Sequence, residues 1–72
     1  MDNTRDRMQL EGTVIDANKG LFKVRISENY TVLATLAGKI RVNSVRILVG
    51  DSVVVEVSEY RPDKGRIVYR NK

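Results

Sequence analysis

Seventy-two residues, 42% hydrophobic and 31% charged, leave room for one small core, which excludes a second domain and confines any activity to one surface. Neither cysteine nor histidine is present, so disulfide bracing, thiolate nucleophiles, imidazole bases and the commonest zinc ligands are all excluded. The formal charge of +4 is unevenly spread: residues 1–36 hold five basic and five acidic groups, residues 37–72 eight basic and four acidic, which points to a polyanion-binding face in the second half.

Residues 1–7 are polar and charged, unlike a secretory signal, and no apolar run approaches membrane-spanning length. The sequence therefore reads as a soluble cytoplasmic protein, with residues 1–7 expected to form a mobile tail and residues 8–72 a single domain. Met8, Leu10, Gly12 and Val14 alternate with Gln9, Glu11 and Thr13, the period of a half-buried strand. Asn18-Lys19-Gly20 signals a turn, and Phe22, Val24 and Ile26 then alternate with Lys23 and Arg25 as a hairpin partner. Glu28 and Asn29 lead to a third strand over residues 31–36, with Val32, Ala34 and Leu36 on one face.

Over residues 37–49 the period changes. Ile40, Ser44, Ile47 and Leu48 recur every three to four positions, which predicts a short helical segment. Gly50-Asp51 punctuates the chain, and Val53, Val55 and Val57 mark a fourth strand. Residues 60–65, with the only proline, read as a loop. A fifth strand over residues 66–70 places Ile67 and Tyr69 on one face and Arg66, Val68 and Arg70 on the other. Three strands, a short helical link and two strands is the order of the OB-fold, an all-β five-stranded Greek-key barrel. An SH3-like barrel is the alternative, disfavoured by the helical segment.

Enzyme chemistry has little to work with. The nine acidic residues are scattered, and Gly38-Lys39 lacks both the glycine five residues earlier and the following serine or threonine of a phosphate loop. No catalytic residue, metal site or cofactor is indicated. Basic residues remain: Lys39, Arg41 and Arg46 lie in the acid-free residues 37–50, while Arg61, Lys64, Arg66, Arg70 and Lys72 share the last twelve with Asp63 alone. Such clusters suit phosphate oxygens, since guanidinium groups bridge them and each neutralised phosphate releases counterions. Among the aromatics, Phe22 and Tyr69 share faces with aliphatic residues and are expected in the core. Tyr60, bordering the basic loop, is the better RNA contact. So few stacking platforms favour folded RNA over general single-strand coating.

The segments Gly38-Lys39-Ile40-Arg41 with Asn43, Arg46-Ile47-Leu48, Gly50-Asp51, Val53, Val55-Glu56, Tyr60 and Lys64-Gly65-Arg66-Ile67-Val68 with Arg70 resemble those of bacterial translation initiation factor one. Gly12-Thr13-Val14, Phe22 and Val24 extend the similarity toward the N-terminus. The resemblance implies a barrel of the ribosomal-protein-S1 type, monomeric and without cofactor. It would bind the small ribosomal subunit at the decoding A site, touching 16S RNA and a neighbouring ribosomal protein, and would work with the other two initiation factors on initiator tRNA. On this implication the RNA-binding residues are Lys39, Arg41, Asn43, Arg46, Tyr60, Lys64, Arg66 and Arg70. Val42 stands where many members of that family carry a second basic residue, which should lower the salt dependence of binding by about one phosphate's worth. Two other readings stay open: a free-standing RNA chaperone of the cold-shock or S1 kind, and an SH3-like protein-interaction module.

Overall fold

Apolar and polar residues in alternation produce five strands in the computed structural model, which describes residues 7–42 and 46–71. They are β1 (Arg7–Asn18), β2 (Leu21–Ser27), β3 (Tyr30–Leu36), β4 (Ser52–Ser58) and β5 (Arg61–Arg70), with one helix, α1 (Gly38–Val42), between β3 and β4. The strands close in the order β1-β2-β3-β5-β4. All pairs are antiparallel except β3 with β5. This is the five-stranded OB barrel that the element order predicts. Arg7, expected in the tail, opens β1 opposite Ser58; residues 1–6 lie outside the described residues.

β1 and β2 meet in a two-residue turn, with Lys19 at φ 53° and Gly20 at φ 81°. Positive φ at both positions is the geometry whose twist matches that of a hairpin. The inward positions are mostly valine: Val14, Val24, Val32, Val53, Val55 and Val57 are almost fully buried, together with Ile67. Short β-branched side chains fill a barrel too narrow for longer ones and favour the strand backbone at the same time. Where β5 crosses β4, Gly65 removes a side chain altogether, since a Cβ there would stand 2.5 Å from the Glu56 carbonyl oxygen and 2.7 Å from Val57 Cγ1.

The expected short helical segment is present as one turn, over Gly38–Val42, and the structure corrects three finer expectations, the first of them just beyond it. Ile40 and Ile47 are buried as the helical period requires, but Leu48 is exposed, because the chain at Leu48 has left the helix for a turn. There the Leu48 amide donates to Asp51 Oδ2 at 2.8 Å and the Asp51 amide to the Leu48 carbonyl at 3.0 Å. The expected loop over residues 60–65 is largely strand: β5 begins at Arg61, and the Tyr30 hydroxyl holds its start by donating to the Pro62 carbonyl at 2.6 Å.

Third, Tyr69 is 59% exposed rather than in the core. Val55 pairs with Ile67 but Val54 pairs with Tyr69, so Val68 is an extra residue on β5. A bulge of this kind breaks the period-two alternation. Ile67 points inward, Tyr69 outward beside Val54, and Arg70 sits opposite the buried Val53. Arg66 and Arg70, expected on one face, are thereby divided between two.

Candidate nucleic-acid interface

Cations gather in two regions, related by the course of β5. On the outer face, register places Gln9 of β1, Glu56 of β4 and Arg66 of β5 in one row across three strands. Glu56 Oε1 accepts from Arg66 Nη2 at 3.0 Å and from Arg7 Nη1 at 3.4 Å. Both guanidinium groups stay substantially open to solvent, at 49% and 41% side-chain exposure. Ion pairs so exposed contribute little stability, and each guanidinium keeps donors free for another acceptor. Beside this row runs a groove of about 720 Å³, lined by Arg7, Gln9, Glu56, Arg66, Val54, Val68 and Tyr69 and walled by Ala37 and Gly38 at the start of α1. A second hollow of about 310 Å³ shares Arg7, Glu56 and Arg66 and reaches Lys64.

The other region is the barrel end where α1 and the following loop lie. The Ala37 amide donates to the Ile67 carbonyl at 2.9 Å, which ties the entry of α1 to β5. Ile40 of α1 and Ile47 are both buried, and Ile47 joins the barrel core. Arg46 is exposed. Arg70, turned to this end by the bulge, donates from Nη1 to the Arg46 carbonyl at 2.8 Å. The Gly50 amide donates to the Val14 carbonyl at 2.8 Å and the Val14 amide to the Asp51 carbonyl at 2.9 Å, so β1 anchors the far side of the same loop.

Of the residues singled out in the sequence, Lys64 and Arg66 share the outer face, and Arg46 and Arg70 share the barrel end. Arg70 has a structural partner there, as a sequence pattern could not reveal. Lys39 and Arg41 belong to α1, adjoining that end; their side chains lie outside the described residues, as does the whole of Asn43. Tyr60 is 73% exposed in the turn between β4 and β5, a full strand's length from Arg46, and its amide donates to Ser58 Oγ at 3.1 Å. It does not join the α1 cluster. Sequence reasoning missed Arg7, Gln9 and Tyr69. Strand register alone brings the first two beside Glu56, and only the bulge exposes the third.

Among the described residues the two ion pairs of Glu56 are the only salt bridges, so Arg46, Arg61 and Lys64 are exposed without a carboxylate partner. No group of three or more acidic side chains is gathered among the described residues that could hold a metal. The arrangement can bind anions by charge and hydrogen bond.

A family model described as translation initiation factor 1A / IF-1 matches residues 2–72. The chain is similar to the solution structure of translation initiation factor one from the Wolbachia endosymbiont strain TRS of Brugia malayi, with 31% identity, 99% of this chain and 85% of that one covered, and a TM-score of 0.79. It is also similar to part of the crystal structure of YloQ, a circularly permuted GTPase. There the identity is 21%, 100% of this chain and 25% of that one are covered, and the TM-score is 0.77. The second likeness is one of fold alone.

Proposed function

We propose, from the premise that this chain belongs to the translation initiation factor 1A / IF-1 family and so is a translation initiation factor and not an enzyme, that it works by occupying the decoding A site of the small ribosomal subunit. Bound there it excludes tRNA from that site during initiation and acts together with the other two initiation factors in placing initiator tRNA. No bond is made or broken by the protein. Its contribution is differential binding, favouring the subunit conformation to which it is complementary.

The observation that carries this reading is the barrel end, where α1, with Lys39 and Arg41, adjoins an Arg46 held in place by Arg70 and free of any carboxylate partner among the described residues. Cations carried on a short helix and loop fixed to a closed barrel suit the grooves and loops of folded RNA, where phosphate contacts fix register. A single-strand chaperone would instead need successive exposed rings along one track. Tyr60 and Tyr69 are exposed, but the β4–β5 pairing sets them near opposite ends of β5.

Chemical footprinting of small ribosomal subunits tests the proposal. The protein should protect the decoding-site adenines, and Arg46→Ala should weaken that protection. Unchanged reactivity of those adenines at saturating protein would refute the assignment.

A further inference from the structure

The outer groove has features that a generic basic surface lacks. Tyr69 presents an exposed ring there only because Val68 is bulged. Beside the ring lie Arg66, Arg7 and the Gln9 amide, with Lys64 in the adjoining hollow. Three cations face one carboxylate, and that carboxylate is engaged by two of them through one oxygen. Ala37 and Gly38 also line the groove, and a Cβ at Gly38 would meet no atom within 4 Å. An exposed aromatic ring, two guanidinium groups and a side-chain amide gathered along one groove match what a nucleotide offers, a π-face to stack and a phosphate to pair.

We propose that this groove is a subsite for one unpaired RNA nucleotide, with the base stacked on Tyr69 and the phosphate held by Arg66 and Lys64. The subsite lies on the barrel wall where β5 passes the start of α1, and through Arg66 and Lys64 it gives the protein a point of attachment beyond the exposed Arg46. It rests on RNA being the ligand, as proposed above. Stacking of this kind tolerates any base, because every base has a π-face, and adds affinity without adding to salt dependence.

The test compares wild-type protein with Tyr69→Phe and Tyr69→Leu in equilibrium binding to small ribosomal subunits over a series of salt concentrations. Loss of the ring in Tyr69→Leu should weaken binding on the order of 10- to 100-fold with an unchanged salt slope, while Tyr69→Phe stays within about twofold of wild type. Tyr69→Leu binding like wild type, or Tyr69→Phe as weak as Tyr69→Leu, overturns the proposal. Thermal melts establish that the variants fold. Should Tyr69→Leu fail to fold, ultraviolet cross-linking of the wild-type complex decides: a nucleotide adduct on Tyr69 supports the subsite, and its absence removes it. Footprints taken on the same complexes separate the two ideas, since unprotected decoding-site adenines with an adduct on Tyr69 would refute the location and leave the subsite standing.

Discussion

Arg70 and Arg46 are bound to each other through unlike parts: the Arg70 guanidinium donates from Nη1 to the Arg46 backbone carbonyl at 2.8 Å. Two cations 24 positions apart in the chain would repel through their side chains. Here one charge is engaged by the carbonyl that precedes Ile47, and the other side chain is left exposed. The two arginines therefore have different tasks, with Arg70 ordering the loop and Arg46 meeting the ligand.

That division predicts unlike salt dependence. Arg46→Gln should weaken binding to the small subunit and reduce the salt slope by about 0.7 to 0.9, the share of one phosphate. Arg70→Gln should weaken binding comparably with a smaller change in slope, and should speed amide hydrogen exchange in residues 46–51. It should also lower stability by about 1 kcal/mol, as expected for a half-exposed charged hydrogen bond. Equal slope changes for the two variants would show that Arg70 also touches phosphate.

Glu56 is the carboxylate against which two cations of the outer face are held, so Glu56→Gln exposes more net positive charge there. Its ion pairs lie on guanidinium groups nearly half open to solvent, so the loss of folding stability should stay below about 1 kcal/mol. Affinity for oligonucleotides in low salt should rise a fewfold, about what one unopposed charge contributes, and the gain should fade as salt increases. A fall in affinity at low salt would mean that aligning Arg66 outweighs the charge it neutralises.

Gly65 links fold to site, because at an inward position opposite Val57 it lets β5 lie close against β4 next to the Glu56–Arg66 row. A Cβ placed there overlaps the Glu56 carbonyl oxygen at 2.5 Å, and that contact is with backbone, which cannot swing aside. Gly65→Ala should destabilise the barrel by about 1 to 3 kcal/mol, read from thermal or denaturant unfolding. In a domain this small, such a loss is a large part of the total.

Strand number, order and most of the inward residues were legible because Val, Ile and Phe fall at alternate positions in β1 to β4 and the barrel has a single interior. The Lys19-Gly20 turn was legible from its residue types. What eluded the sequence came from breaks in register. Val68 carries no mark that distinguishes an extra residue from a paired one, and on its parity hang the exposure of Tyr69 and the inward turn of Arg70. Helical spacing over residues 37–49 identified Ile40 and Ile47 as buried, but the same spacing arises when a single turn of helix and a braced loop each insert one side chain into the barrel end. Arg7 and Gln9 could not be read as site residues at all, since their neighbour Glu56 is reached only through the β1–β4 ladder.

Deleting Val68 tests that register directly. Val55 pairs with Ile67 and Val54 with Tyr69, so removal of the residue between them leaves both pairs, and Arg70 opposite Val53, in a regular ladder. The parallel pairing of β3 with β5 ends at Ile67 and is not disturbed. The deletion should fold, with Tyr69 still open to aqueous quenchers. It should be less stable by about 1 to 2 kcal/mol, because the bulge supplies local twist and bend that the closed barrel uses. Had β5 been a regular strand with Ile67 and Tyr69 both inward, the same deletion would move Tyr69 from core to surface and drive Arg70 into the interior. Cooperative unfolding of the deletion variant, with unchanged tyrosine accessibility, therefore distinguishes the bulged strand from the regular one.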